Sequence, residues 1–498
     1  MFKKIVFGMV VLVAVVIAAF FFLIKVIDFN EYKPRLHKAI KESTGYEVII
    51  RGDITLTLSP IGVSLSDIEI NNPTYHPETP FAKLSSFDVA LDVPALLKKE
   101  IKVKQLSLDG LAFNIEKIKE GKFNYDLLPL PTPKTLDKKA KESNTTVEKE
   151  SGAFLSLMNA KKIKFSNTDV SYADVNASHK LVFENIDLDM NDISYDTSKH
   201  SIQGLSFIAN THIDTIQYGT AYAVHDISMP LETKNGIAIS DTLKYTLFDT
   251  PIQGSGKLDF TGKQPKISLK SKIVGLKLTT LSKELWGKEM LDGNANGDVK
   301  LSFFVGDAHT FKSTLNGFVQ LFGEGIVLRG YDIDKIALVL DPMQPSKGLN
   351  LNTLIMGTVE AFKGGNSLIK EANLKVDLGY SEIKLSDVAL STASNRVAIK
   401  GDINSVEEKL VDVITAFLDE KGCATFEQKL SGTFAKPSVK LDETAVKTLT
   451  NVVLSFTTKS KTAHASGATQ NDTNCTVFYD GVVKHPPLQP VSTQQPME

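Results

Sequence analysis

Cysteine, tryptophan and net charge are all scarce in this chain. Two cysteines, Cys423 and Cys475, and a single tryptophan, Trp286, stand among 498 residues. No Cys-x-x-Cys pair occurs, which excludes the common zinc-ribbon and dithiol redox motifs. If the body lies outside the cytoplasm, Cys423 and Cys475 are candidates for one disulfide. Two unrelated buried thiols are the other reading, and the residues alone do not choose between them. The 56 basic and 58 acidic side chains sum to −2. No global field therefore attracts nucleic acid, and none is expected as a partner. Nine histidines are scattered without a metal-ligand spacing, so each reads as a surface or turn residue, and neither metal nor cofactor is expected. Gly254-Ser255-Gly256 and Gly323-Glu324-Gly325 lack the rest of a phosphate-binding fingerprint and read as turn glycines between strands. Asp67, Asp109 and Asp332 read as turn residues at strand ends rather than paired catalytic carboxylates. With no catalytic constellation, the chain is not expected to be an enzyme.

What the chain does have begins with an uncharged run from Ile5 to Ile24. About 20 apolar residues at a helical rise match a hydrocarbon core of roughly 30 Å, so this run is expected to anchor the chain in a membrane. A cleaved signal peptide is disfavoured, because its apolar region is about 7–15 residues long and here Ala18-Ala19 leads straight into Phe20-Phe21-Phe22. Lys3 and Lys4 precede the run, while Lys25, Lys33, Arg35, Lys38 and Lys41 come after it. A bare count of those cations would place the body in the cytoplasm, but long translocated domains override such counts, so charge leaves the orientation open.

Beyond the run, Asn30 to Ser43 reads as a short helix with Pro34 in its first turn and a cap at Thr44-Gly45. Its Lys33, Lys38 and Lys41 suit phospholipid headgroups or simply a solvated face. From Tyr46 the apolar period becomes two. Val48 and Ile50, Ile54, Leu56 and Leu58, Val63 and Leu65, and Ile68 and Ile70 alternate with polar residues, with breaks at Arg51-Gly52-Asp53, Ser59-Pro60 and Asn71-Asn72-Pro73. Phe87, Val89 and Leu91, then Leu106 and Leu108, then Leu111, Phe113 and Ile115 repeat the pattern. Pro94 to Lys99 reads as a turn of helix. Short helices are also expected at Leu276–Leu285, Glu407–Leu418 and Glu443–Leu454.

The expected organisation is a membrane anchor over 1–27, a helix plus β module over 28–128, and a flexible charged linker or loop over 129–152. A long β region over 153–440, a helix over 441–456 and a largely disordered tail over 457–498 complete the chain. The fold class is mainly β: a single transmembrane helix, then an extended, curled antiparallel sheet with few helices. Roughly 25 strands can be read at period two. A sheet with one apolar face must hide it, and few helices are available. The sheet must pack as a sandwich, close as a barrel, or curl into a trough covered by something else. In a trough, a lipid tail is the natural cover, since each buried methylene gains about 0.8 kcal/mol. Periodicity alone leaves sandwich and trough open.

Several segments resemble the AsmA-like proteins of the Gram-negative envelope. They are Asp28-Phe29-Asn30-Glu31-Tyr32-Lys33-Pro34, Thr44-Gly45-Tyr46-Glu47-Val48, Gly52-Asp53-Ile54-Thr55-Leu56 and Ile70-Asn71-Asn72-Pro73. Phe81-Ala82-Lys83-Leu84, Leu106-Ser107-Leu108-Asp109-Gly110 and Phe123-Asn124-Tyr125 continue the likeness. Gly325 to Ile333 and Leu430 to Pro437 resemble that family's C-terminal strands, and residues 190 to 290 match in texture only. The resemblance implies an inner-membrane anchor at residues 5–24, a single pass, and the bulk of the chain in the periplasm. It also implies a bridge-like, repeating β-groove that binds phospholipid acyl chains and supports lipid transport to, and integrity of, the outer membrane. The alternative is a structural adaptor that assists outer-membrane protein assembly through envelope protein partners. Candidate groove residues are Leu56, Leu58, Val63, Leu65, Ile68, Ile70, Phe87, Val89, Leu91, Leu106, Leu108, Leu111, Phe113 and Ile115.

Overall fold

A computed structural model of the protein describes residues 29–44, 47–72, 79–98, 102–119, 122–124, 160–174, 180–196, 202–219, 222–340, 363–441 and 475–487. The expected anchor at 5–24, the linker at 129–152 and the helix at Glu443–Leu454 lie outside these residues. Among the described residues no helix is long and apolar enough to cross a membrane. The chain divides into two compact units, Met1–Ser240 and Asp241–Glu498.

The first unit opens on a 3-10 turn, Phe29–Tyr32, and helix α1 (Lys33–Thr44). Its strands are β1 (Val48–Ile50), β2 (Ile54–Leu58), β3 (Ile61–Ile70), β4 (Ala82–Leu91), β5 (Val103–Asp109), β6 (Ala112–Lys119), β7 (Lys122–Phe123), β8 (Lys162–Asp174), β9 (Lys180–Tyr195), β10 (Leu205–Tyr218) and β11 (Tyr222–Lys234). Helix α2 (Val93–Leu97) comes directly after β4, where Asp92 accepts a hydrogen bond from Ala95 N at 3.0 Å. Neighbours pair antiparallel except that β8 lies parallel to both β5 and β6. A parallel neighbour needs a connection of about a dozen residues or more, and the chain from 125 to 159 supplies that length. The charged segment thus lies between paired strands of the first unit.

Strand β12 (Ile237–Leu247) runs across the division. The second unit then holds β13 (Thr250–Asp259), β14 (Lys266–Lys277), β15 (Leu291–Asp292), β16 (Asn294–Phe304), β17 (Asn316–Tyr331), β18 (Lys363–Gly379), β19 (Glu382–Ser391), β20 (Arg396–Asn404), β21 (Lys409–Leu418), β22 (Ala424–Thr433) and β23 (Lys436–Leu441). Helices α3 (Leu278–Trp286), α4 (Ala308–Thr314) and α5 (Ile333–Leu340) are short. Gly287, left-handed at φ 68°, caps α3 through a bond to Lys283 O. Leu278 joins Ile252, Ile273, Leu276, Ala295, Ile326 and Ile369 in a buried cluster.

Four sequence expectations change. The helix expected over Glu407–Leu418 is strand β21. Its Val411, Val413, Ile414 and Thr415 are β-branched, and it gains ladders on both sides, with β20 and β22. Gly254 and Gly256 lie inside β13, and Gly323 and Gly325 inside β17, so these are not inter-strand turns. A Cβ on Gly254 would overlap the Lys270 carbonyl, so there the neighbouring strand comes too close for any side chain. Asp67 lies within β3, left-handed at φ 48°, whereas Asp109 ends β5 and Asp332 directly follows β17, where it caps α5 by accepting from Lys335 N at 3.0 Å. Finally, residues 475–487, expected in a loose tail, pack on β19–β22. Cys423 and Cys475 form a disulfide with Cα atoms 6.1 Å apart. Phe478 N and Tyr479 N both donate to Gly422 O, at 2.8 and 3.0 Å.

Candidate functional site

Directly paired residues in neighbouring strands point to the same face of a sheet, so the registers show where each side chain stands. In the first unit one row runs Leu56, Val63, Val89, Leu106, Ile163, Met190, Ala209, Leu231 across eight strands. Two residues along each strand lies a second, Ile54, Leu65, Phe87, Leu108, Phe165, Leu188, Thr211, Met229. Between them the opposite face carries Thr55, Ser64, Asp88, Ser107, Lys164, Asp189, Asn210 and Pro230. Two nearly unbroken apolar rows on one face thus oppose a polar row on the other.

A second band lies further along the strands, as the row Ile70, Ala82, Phe113, Val170, Phe183, Ile216, Val224. Between the bands the residues of this face shift by one position. They pass from Leu65 to Ile68, from Leu108 to Leu111, from Phe165 to Thr168, and from Phe183 to Ile186. The intervening Asp67, Gly110, Asn167 and Asn185 have φ between 48° and 63°. A left-handed residue absorbs the extra position, bends the strand and re-aims the side chains beyond it, as β-bulges do. Aspartate and asparagine tolerate this conformation better than other side chains. Their neighbours hold them there. Asn167 N donates to Asp187 Oδ1 at 3.0 Å and its Nδ2 to Asp109 Oδ1 at 2.7 Å. Asn185 N donates to Asp169 Oδ1 at 2.9 Å and its Nδ2 to Asp214 Oδ2 at 2.5 Å. The Asn185 amide, with a smaller share from His212, holds the Asp214 carboxyl below its ordinary range. The bulges therefore form a polar crease across the sheet.

Of the fourteen candidate groove residues, Leu65, Leu106 and Leu111 are buried and the other eleven are half-buried. Leu56, Val63, Leu65, Phe87, Val89, Leu106 and Leu108 meet in the first two rows. Ile70 and Phe113 belong to the second band, and Ile115 pairs with Tyr172 beyond it. Ile68 pairs with Leu84, Leu58 with Ile61 and Leu91 with Val103. Leu111 sits at the crease, its carbonyl accepting from Asp169 N at 2.8 Å. The sequence reading missed the continuation through Ile163, Met190, Phe165 and Leu188 as one surface. Strand neighbours separated by the long connection after β7 cannot be paired from spacing.

The second unit repeats the arrangement. Ile273, Gly297, Leu321, Leu374, Val388 and Ile399 form one row. On the opposite face stand Lys272, Asp298, Gln320, Lys375 and Asp387. Leu374 remains 37% exposed. Near α3 this apolar face is sealed, with Leu281 packed on the buried cluster. Among the described residues no group of three or more histidine, cysteine or acidic side chains could hold a metal.

The segments that carry the family resemblance meet in pairs. Asn30 Oδ1 accepts from Ile54 N at 3.0 Å and Lys33 Nζ lies 3.8 Å from Asp53, joining the first helix to β2. Buried Asn124 donates to Asn114 O at 2.7 Å and accepts from Glu116 N at 3.1 Å, while its Nδ2 reaches Asn72 Oδ1 at 3.5 Å. These residues hold the scaffold together, whereas the apolar rows are what the scaffold displays. The AsmA family model matches residues 1–211, and over that stretch the chain is AsmA-like. No curated protein matches the chain.

Proposed function

We propose that the chain is anchored in the inner membrane by residues 5–24, with its body in the periplasm, and binds phospholipid acyl chains along the apolar sheet face. In this role it supports lipid transport to, and integrity of, the outer membrane, as a binding surface rather than an enzyme. The observation that carries the reading is the pair of apolar rows, in which Ile54, Leu65, Leu106, Met190, Ala209 and Thr211 are buried and the other members half-buried, opposed by a polar row. Eight strands at about 4.8 Å give a band of roughly 34 Å. A bilayer core of roughly 30 Å holds two tails end to end, so the band has room for two. Burying methylenes at about 0.8 kcal/mol each makes such a surface attractive to any sixteen-carbon tail, before the cost of immobilising it.

The test places photoreactive side chains at Val63, Val89 and Phe113, with Ser64 and Asp88 as opposite-face controls. Cross-linked phospholipid, identified by mass spectrometry, is expected only from the first set. Equal labelling of both faces, or none from either in folded protein, sinks the reading. A second reading, a structural adaptor assisting outer-membrane protein assembly, is favoured by the sealed cluster around Ile252, Ile273 and Leu278. It predicts a stable protein partner and no retained lipid.

A further inference from the structure

The strap at 475–487 is not used by the acyl-chain reading, and it occupies a formed seat. Ala389, Ala398 and Ala416 pair across β19, β20 and β21, and their small side chains leave a shallow floor. Tyr479 and Val483 bury themselves on this floor, with Val483 fully buried. Polar contacts fix the strap's direction. Tyr479 donates through its hydroxyl to Asp387 Oδ1 at 2.6 Å, and Arg396 donates from Nη1 to Val483 O at 3.3 Å. Lys400 Nζ stands 3.9 Å from the Phe478 ring centroid. Of the two bridged residues, Cys423 is buried and Cys475 is exposed.

From this geometry we infer that residues 475–487 are a self-supplied peptide ligand, seated in a docking cleft on β19–β22 and latched there by the Cys423–Cys475 bond. A dithiol opens the latch by two exchanges. Its first thiolate attacks the sulfur of Cys475, the exposed residue of the pair, and expels the Cys423 thiolate. Its second thiolate then releases Cys475 and closes the reagent's own disulfide, so two electrons pass to the protein and the dithiol's two protons end on the two cysteines. The closed loop spans a sequence separation of 52, and losing it weakens strap docking by about a thousand-fold. The vacated cleft then accepts an extended segment with the same aromatic and aliphatic spacing.

The test uses the full chain with Cys423→Ser and Cys475→Ser together, and alongside it the unmutated chain in excess dithiol. Hydrogen exchange of the 475–487 amides is expected to accelerate at least a hundred-fold in both, while β14–β18 amides keep their protection. A labelled synthetic peptide of residues 476–487 is expected to bind the opened proteins saturably and the oxidised chain not at all. Strap amides that stay as protected without the bond overturn the latch. Strap release without peptide binding overturns the docking cleft. Both results leave the acyl-chain reading untouched, because that reading rests on the rows of the first unit, and within the second unit the strap packs on the Asp387 side of β19 to β21 and not on the Val388–Ile399 row.

Discussion

Val89 and Asp88 are consecutive in β4 and stand on opposite faces, which makes them a paired probe of the apolar surface. Val89 sits between Val63 and Leu106, and Asp88 between Ser64 and Ser107. A sixteen-carbon tail spread over about 15 Å, half a bilayer core, lays about five methylenes over each strand. Only one side of the tail touches protein, so those methylenes contribute about half their transfer free energy, or about 2 kcal/mol at about 0.8 kcal/mol each. Val89→Asp places a charge beneath them and should weaken binding of an acyl probe about thirty-fold. Asp88→Asn should leave affinity within a factor of two. The assay is displacement of a fluorescent fatty-acyl phospholipid from the purified chain, with thermal unfolding run on the same samples. If both variants stay folded and bind alike, tails do not lie on this face.

Further expectations concern the scaffold. Asn124→Ala strands Glu116 N and Asn114 O in the interior and should cost about 2–4 kcal/mol, read by urea unfolding. Gly275 is left-handed at φ 70° with open space around it, so Gly275→Ala should cost only about 1–2 kcal/mol. Gly317→Ala should be far worse, since a Cβ there would overlap the Lys300 carbonyl, and loss of cooperative unfolding of the second unit is expected. The crease should respond to acid in one direction. Because Asp214 titrates below its ordinary value of 3.8 in the folded chain, its contribution is complete above that value and disappears as pH falls through the depressed one. Asn185→Ala removes the largest cause, so the Asp214 carboxyl resonance should then titrate closer to 3.8, as carboxyl NMR would read.

Much of this surface was legible because period-two alternation is a local signal, and between Ile54 and Ile115 it slips only where one extra residue intervenes, as at Asp67 and Gly110. Two kinds of feature were not. The run Leu410 to Leu418 is apolar at both two-residue and helical spacings, and only its ladders with β20 and β22 make it a strand. Pairing of β5 and β6 with β8 crosses a connection of some thirty-five residues, about which local pattern says nothing. Yet one mark of the tertiary arrangement was present in the sequence as a recurring four-residue phrase. Leu65-Ser66-Asp67-Ile68, Leu108-Asp109-Gly110-Leu111, Phe183-Glu184-Asn185-Ile186, Ile273-Val274-Gly275-Leu276 and Gly323-Glu324-Gly325-Ile326 each break alternation by one residue, with Asp, Asn or Gly third. Read as loop punctuation, the phrase splits strands in two. Read as a left-handed bulge, it keeps the apolar set on its own side, inside a single strand at every one of these sites but Gly110, which divides β5 from β6. Without those single residues a strict alternation would carry the second band to the polar face, and the surface that defines the candidate site would end at the crease.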